Sequence, residues 1–438
     1  MDKNKKGFSY LEIIIGIAIF GIIIHAFFTL ITTTYRFIGL SRSQATARAL
    51  SNQQIETIRN LPYDQVGTQG GIPAGPILQT QTRIINNQTY TIKTSIIYID
   101  DPFDGTVPSD LLPTDYKKIR VKTTWNGPFT NSKGITLLTN IVPKGVESIV
   151  GGGTLAILVF DSTGQPIPQA DIIIKTTTTS PPIDLNLFTD NDGNLILPGA
   201  PICTSCYQIT VSKNNYSTDK TISTSEVANP NTPFQTVLEN QLTQVSFAID
   251  KISNTTFQTL SYPNQNPLPN SQLQITGQKT LGTDVNGDPV YKYSQSVTTD
   301  SNGRLTLNLE WDTYQIINLN GDLVAGTNPL LPITIIPNET KEIKITSIAP
   351  PPHSLSTLVK DASGTAIASA EAKLTNSSGF EEINFTGSEN DGFYGYTFFQ
   401  VPTLGSYTLE VAAPNYEIST NSATINGNIF QSIVLNHQ

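Results

Sequence analysis

Between Gly7 and Ile31 the chain is almost wholly apolar, with Phe8-Ser9-Tyr10-Leu11-Glu12 leading into Ile13-Ile14-Ile15-Gly16-Ile17-Ala18-Ile19-Phe20-Gly21-Ile22-Ile23-Ile24. As a helix, Phe8–Ile31 rises about 36 Å at ~1.5 Å per residue, enough to cross a hydrocarbon core of ~30 Å. Such a segment needs lipid or other apolar helices around it. Lys3, Lys5 and Lys6 precede it, so the positive-inside rule keeps residues 1–7 cytoplasmic and places everything after about residue 32 outside. No second span is visible. The chain is expected to be a single-pass protein of the cytoplasmic membrane with its bulk outside.

Glu12 is the anomaly in the run. A carboxylate at mid-helix is unfavourable by about 2.5–3.5 kcal/mol on insertion scales, and by less near the interface. One reading keeps Glu12 wet at headgroup level. The other needs a cation that appears only after processing. Cleavage between Gly7 and Phe8 creates a free amine on Phe8, and the amine of one subunit then pairs with Glu12 of its neighbour in a helical bundle.

The run Lys6-Gly7-Phe8-Ser9-Tyr10-Leu11-Glu12 followed by Ile-rich sequence resembles the class III signal of type IV pilins and type II secretion pseudopilins. The resemblance implies cleavage after Gly7 and N-methylation of Phe8 by a prepilin peptidase. It also implies that Glu12 guides assembly with other pilin or pseudopilin subunits. A secretory signal peptide fits less well, because the apolar run is too long and lacks an Ala-x-Ala end.

Past the span, Leu40, Ala45, Ala49-Leu50, Ile55, Ile58 and Leu61 recur at three- and four-residue steps among polar residues, giving an amphipathic helix that Pro62 stops. Strand-like runs follow at 79–85, 90–99, 117–125 and 135–142. Ile92, Ile96 and Tyr98 share a face, as do Ile119, Val121 and Trp125, while Arg120 and Lys122 point the other way. The helix is the natural cover for the apolar face. Gly151-Gly152-Gly153 then reads as a flexible boundary.

Beyond it a pattern recurs. Pro166-Ile167-Pro168-Gln169-Ala170 returns as Pro267-Leu268-Pro269-Asn270-Ser271 and as Ala366-Ile367-Ala368-Ser369-Ala370. Each copy is followed by a turn, at Asp190–Gly193, Asp300–Gly303 and Glu389–Gly392, and then by a strand led by Tyr207, Tyr314 or Tyr407. The repeat is about a hundred residues long, the size of a small β-sandwich. The stretch Val159-Phe160-Asp161-Ser162-Thr163-Gly164-Gln165-Pro166, with Lys360-Asp361-Ala362-Ser363-Gly364 and Ala413-Pro414-Asn415-Tyr416, resembles carboxypeptidase-regulatory-like, transthyretin-like modules. The middle copy departs most, with an insertion around Lys279–Tyr291. Pro350-Pro351-Pro352 reads as a stiff joint.

The expected fold is therefore mainly β with one long N-terminal helix: a pilin-like α+β unit followed by three β-sandwich modules. The expected segments are a leader at 1–7, a helix at 8–61 (membrane half 8–31, amphipathic half 32–61), a small β domain at 62–148, and sandwiches at 154–241, 242–349 and 353–438.

Catalytic chemistry is not expected. Outside the span only His353 and His437 offer imidazole bases, and no Gly-x-Ser-x-Gly elbow is present. No cofactor is expected either. Cys203 and Cys206 are the only cysteines, too few for a zinc site, and a tight disulfide in an oxidising compartment is their expected state. The net charge of −9 argues against nucleic acid as a partner. The acidic loop Asp100–Gly105 with Asp110 and Asp115 has oxygen ligands for Ca²⁺, but turn chemistry explains it more simply. Lys360 on a first strand and Asn436 on a last strand raise an isopeptide bond promoted by Glu410. No aromatic platform for sugars stands out around Trp125 and Trp311. The resulting expectation is a minor pilin or pseudopilin that displays its modules to an unknown extracellular ligand. The alternative is an uncleaved, membrane-anchored surface adhesin.

Overall fold

The computed structural model describes residues 10–100, 115–127, 134–143, 152–176, 178–179 and 182–438, without the side chains of 11–13 and 15–18. The fold is mainly β, with one long N-terminal helix and several sandwich sheets. It divides into two compact units, one made of Met1–Val159, Pro166–Ile209 and Gln235–Ser246, the other of Phe160–Gln165, Thr210–Phe234 and Phe247–Gln438.

In the first unit, helix α1 runs unbroken through Tyr10–Arg59. The Leu61 amide closes its end on Ile58 O, and Pro62 follows. Ser43, Ala47, Leu50, Ser51, Gln54, Ile55 and Ile58 form one buried stripe at three- and four-residue steps. The stripe packs on an antiparallel sheet of β1 (Thr80–Ile85), β2 (Gln88–Ile99), β3 (Tyr116–Asn126) and β4 (Ile135–Ile141). Tyr90, Ile92, Ile96, Ile119, Val121 and Trp125 supply the sheet side of that core. Two polar pairs lie within the contact: Ser51 Oγ and Thr123 Oγ1 are 2.8 Å apart, and Ser43 Oγ donates to Gln88 Oε1 at 2.8 Å.

The opposite face of this sheet is not solvent-exposed. Arg120 does point away from α1, yet it is buried, as are Lys118, Ile97 and Ile99. The cover comes from two strands of a second sheet, β6 (Asp171–Thr176) and β7 (Ile183–Phe188), while β5 (Gly153–Phe160) and β8 (Asn194–Ala200) extend the first sheet and β9 (Cys203–Ser212) pairs beside β6. Strand β8 pairs with β2 at Ile196 and Tyr98. This joins strand Leu242–Ala248, β5, β8, β2, β3 and β4 in that order, with β1 on the other half of β2, into one seven-stranded sheet. Residues 62–148 and 154–241, expected as separate bodies, thus share a sheet. Gly153 is not a hinge either. It is buried in β5, where an added Cβ would lie 2.3 Å from Leu238 O.

The second unit contains two sandwiches of matching topology. In one, the sheet Arg304–Leu309, Ser253–Ser261, Thr340–Ile348, Leu323–Asn328 faces the sheet Ser294–Thr298, Gln272–Gly277, Asp312–Asn318, Ile333–Ile335. Phe257, Leu273, Ile275, Tyr314, Ile343 and Ile345 fill the space between. In the other, Tyr396–Gln400, Ser354–Asp361, Asn428–Leu435 face Glu381–Phe385, Glu371–Asn376, Gly405–Ala412, Ser419–Ile425. In both, the first strand pairs in parallel with the last. The two sandwiches meet through the turn at 389–395: Tyr262 packs edge-on to Phe393 at 5.1 Å, and Gln265 Oε1 accepts the Gly392 amide at 2.7 Å.

The recurring sequence pattern has a physical basis in all copies. Gln169, Asn270 and Ser369 each adopt positive φ. Beside them, Thr189, Thr299 and Thr386 accept the amides of Ala170, Ser271 and Ala370 at 2.9–3.0 Å. The leading tyrosines are buried, and their hydroxyls donate back to Pro201 O, Glu310 O and Thr403 O.

Candidate functional site

The N-terminal half of α1 is the feature without an internal role. Ile14, Phe20, Ile22, Phe27, Phe28 and Tyr35 are each more than half exposed. By length and composition α1 is the one helix among the described residues able to cross a membrane. Its polar residues suit apolar surroundings: the hydroxyls of Thr29, Thr33 and Thr34 donate to the carbonyls of His25, Thr29 and Leu30 at 2.7–2.9 Å. Glu12 is the third residue of the described helix, within its first turn. Its side chain, like Gly7 and Phe8, is outside the described residues.

The helix therefore has two faces of use along its length. Its last five turns are fixed to the sheet, and the described side chains from Ile19 to Ile38 stand exposed and are largely apolar. Arg59 at its end donates to Thr139 Oγ1 at 2.7 Å on β4, tying the final turn to the sheet.

The structure joins Cys203 to Cys206 in a disulfide, with Cα atoms 6.0 Å apart. The pair sits at the start of β9, with Ser205 between them at φ 49°. Its setting is an all-β sheet, not the strand–helix junction of a redox motif.

The acidic side chains at turns have inward work. Asp161, Asp190, Asp284, Asp300 and Asp361 each accept two amides, two and four residues on, through Oδ1 at 2.8–2.9 Å. Asn376 does the same at 2.9 and 3.0 Å. These are turn-closing carboxylates. Residues 101–114, which hold most of the acidic loop, are outside the described residues. Among the described residues no three His, Cys, Asp or Glu side chains converge on a metal position.

The isopeptide constellation does not assemble. Glu410 is exposed on the outer face of its strand, between inward-facing Leu409 and Val411, and that strand lies in the sheet opposite Lys360. Asn436 is exposed as well. The two histidines beyond α1 are also apart in role: His437 stacks on the Tyr416 ring at 4.3 Å, while the His353 carbonyl accepts the Val401 amide.

Two clusters were not legible in the sequence. Arg120 is buried against Asp171 and Phe188. Lys279 places its ammonium 3.0 Å from the Trp311 ring centre, and Glu310 is shared between Lys279 and Lys292 at 3.6 and 3.0 Å. Burial brings the Lys279 amine down to about 8, against the opposing pull of Glu310. The Trp311 face is thereby occupied by the chain's own cation.

No family model matches the chain, and no curated protein does. Among solved structures, the TIE protein of Bacillus anthracis is similar at 15% identity and a TM-score of 0.20, covering 83% of this chain and 74% of that one. The Streptococcal ancillary pilin matches at 13% identity and a TM-score of 0.18, over 66% of this chain and 99% of that one. The shaft pilin SpaA of Lactobacillus rhamnosus GG matches at 12% identity and a TM-score of 0.17, over 43% and 98%. Likenesses at this level say nothing of this chain's function.

Proposed function

We propose that this chain is a minor pilin or pseudopilin subunit of a type IV pilus or type II secretion-like filament, with its β-sandwich modules displayed outside the cell. The observation that carries the reading is one continuous helix, Tyr10–Arg59, whose far half is clamped to a sheet while its near half is bare and apolar. The Lys-Gly-Phe-Ser-Tyr-Leu-Glu motif stands at the entrance to that near half. In this reading a prepilin peptidase cuts after Gly7 and methylates the Phe8 amine. Phe8–Ile31 then leaves the membrane to pack with other subunits, and Glu12 receives a neighbour's amine. A minor place is favoured because a large β-sandwich cargo on every subunit would crowd a filament. The modules serve adhesion or another interaction, the chain is not a catalyst, and nucleic acid is not its partner.

The test is the N-terminal sequence and mass of the protein from its native membrane, with and without Gly7→Ala. A chain beginning at methylated Phe8, with cleavage lost in the variant, supports the filament. An intact leader in both favours the second reading, an anchored surface adhesin, for which the same bare helix is a simple span.

A further inference from the structure

Charge is spread unevenly along the chain. Residues 13–99 carry six basic side chains against two acidic ones, Glu56 and Asp64, a net charge of +4. Residues 100–438 carry 17 basic and 31 acidic side chains, a net charge of −14. From residue 13 to residue 55 no acidic side chain occurs, and the three arginines of that stretch, Arg36, Arg42 and Arg48, all stand on α1. All three are exposed, and among the described residues none forms an ion pair.

Their height on the helix decides which anion reaches them. The apolar run ends at about Ile31, and lipid headgroups add ~5–7 Å beyond the hydrocarbon core on each side. At ~1.5 Å per residue Arg36 stands about 7 Å past Ile31, with Arg42 about 9 Å and Arg48 about 18 Å higher still. Arg36 is thus level with lipid phosphates. Tyr35 and Phe37, 69% and 68% exposed, flank it at the depth where aromatic side chains anchor a span. Arg42 reaches down to the same layer along its methylene stem. Arg48 is about two screening lengths of ~8 Å above Arg36 and outside that layer.

The sheet bounds this region from above. Arg36 precedes Ser43 by seven residues, so it shares the face of α1 that bears the buried stripe. Ser43 bonds to Gln88, and Gln54 to Gln81, which aims the tip of the β1–β2 hairpin at the Arg36 end of the helix. The hairpin therefore overhangs Arg36 by about two helical turns, ~10 Å, which leaves space for a headgroup beneath it.

We propose that α1 binds anionic phospholipid headgroups at Arg36 and Arg42 while the chain stands in a membrane. The planar guanidiniums each present paired N–H donors to phosphate oxygens. The inference rests on the span, which the filament and adhesin readings share, and it adds a lipid preference and a fixed depth to that span.

The test uses the full chain reconstituted in phosphatidylcholine vesicles at 0.15 M salt, with a trace of spin-labelled phosphatidylglycerol or spin-labelled phosphatidylcholine. Flotation establishes insertion, and electron paramagnetic resonance gives the fraction of each lipid immobilised on the protein. The expected result is a preference for phosphatidylglycerol of about fivefold or more, the effect of one cation held at an anionic surface. Arg36→Gln combined with Arg42→Gln should bring the two lipids to parity, and Arg48→Gln should leave the preference unchanged. All three positions are exposed, so the variants keep the fold. A chain that floats but immobilises both lipids equally overturns the proposal and leaves the span standing. So does a preference that survives in the double variant, or one that Arg48→Gln removes as fully. A chain that does not float overturns the span and the proposal with it.

Discussion

The Arg120 guanidinium lies 2.5 Å from an Asp171 carboxylate oxygen, donates to Leu187 O at 3.2 Å, and stacks 4.3 Å from the Phe188 ring centre. Its cross-strand neighbour Ser95 donates to Asn186 O at 2.5 Å. Together these contacts fasten β6 and β7 to the face of β2 and β3 that α1 does not cover. Burial lowers the Arg120 pKa, and Asp171 opposes the shift.

Replacing Arg120 with Ala is therefore expected to loosen this face. Breaking a fully buried pair costs ~3–5 kcal/mol. Asp171 keeps 30% of its side chain exposed and has Lys122 at 3.9 Å, so the cost here is nearer about 2–3 kcal/mol. Hydrogen exchange should report it locally, with amides of 116–126 and 183–188 opening on the order of a hundredfold faster. Protection unchanged in both segments would mean that the shared sheet alone holds the two parts together.

At the entrance to α1, Glu12→Gln separates insertion from assembly. The amide is no harder to place in a membrane than the carboxylate, but it cannot form an ion pair. Membrane-fraction yield should stay constant while incorporation into sheared filaments falls. Normal incorporation would remove Glu12 from the assembly step.

Two of the turn carboxylates, Asp361 and Asp190, respond to pH with opposite signs. At Asp361 the Ser363 hydroxyl, with the amides of Thr365 and Ser363, holds the pKa below its usual value. A lowered carboxyl pKa gives a contribution present above the unfolded value and lost as pH falls through the folded one. Asp361→Asn should abolish that acid dependence and keep the turn, as Asn376 does in its own loop. At Asp190 burial dominates and raises the pKa, although the amides of Asn194 and Asp192 oppose it. The sign reverses: the contribution is present below the unfolded value and lost as pH rises through the folded one. Asp190→Asn should thus hold or raise stability at pH 7 and bring no gain at pH 3. Urea titrations of the two variants at both pH values distinguish these signs.

Much of the local structure was readable from spacing alone. The buried stripe of α1 follows its apolar steps, and the strands β1–β4 fall within a few residues of the alternating runs. The repeat was visible because Pro/Ala-rich openings, Asp turns and leading tyrosines each answer a backbone need. The threonines beside those turns answer one too. Thr189, Thr299 and Thr386 each directly follow the strand before the turn, which is the signal that could have found them. The shared sheet was not readable. Periodicity told that Arg120 points away from α1, but not whether water or another strand meets it there. The triple glycine misled for the same reason. Small residues mark flexible joints and tight packing alike, and only the carbonyl beside Gly153 decides between them. For Gly7, Phe8 and Glu12 the motif remains the whole of the case.

Lys279 provides a pH test in the opposite range. Its ammonium is held against Trp311, with a pKa brought down to about 8, first by burial and then against the attraction of Glu310. Between about pH 8 and 10.5 the unfolded chain binds a proton that the folded chain has released, so this residue makes stability rise with pH across that window. Below pH 8 both states are protonated, and the cost of burying the charge is present in full. Lys279→Met keeps an apolar contact on the indole ring, and Glu310 retains Lys292 at 3.0 Å. The variant should therefore be the more stable protein at pH 7, and its advantage should shrink steadily towards pH 10.5. Paired urea midpoints measured at half-unit steps follow the difference. A gap that stays constant with pH would show that the Lys279 amine is solvated normally and that its place on the ring is packing alone.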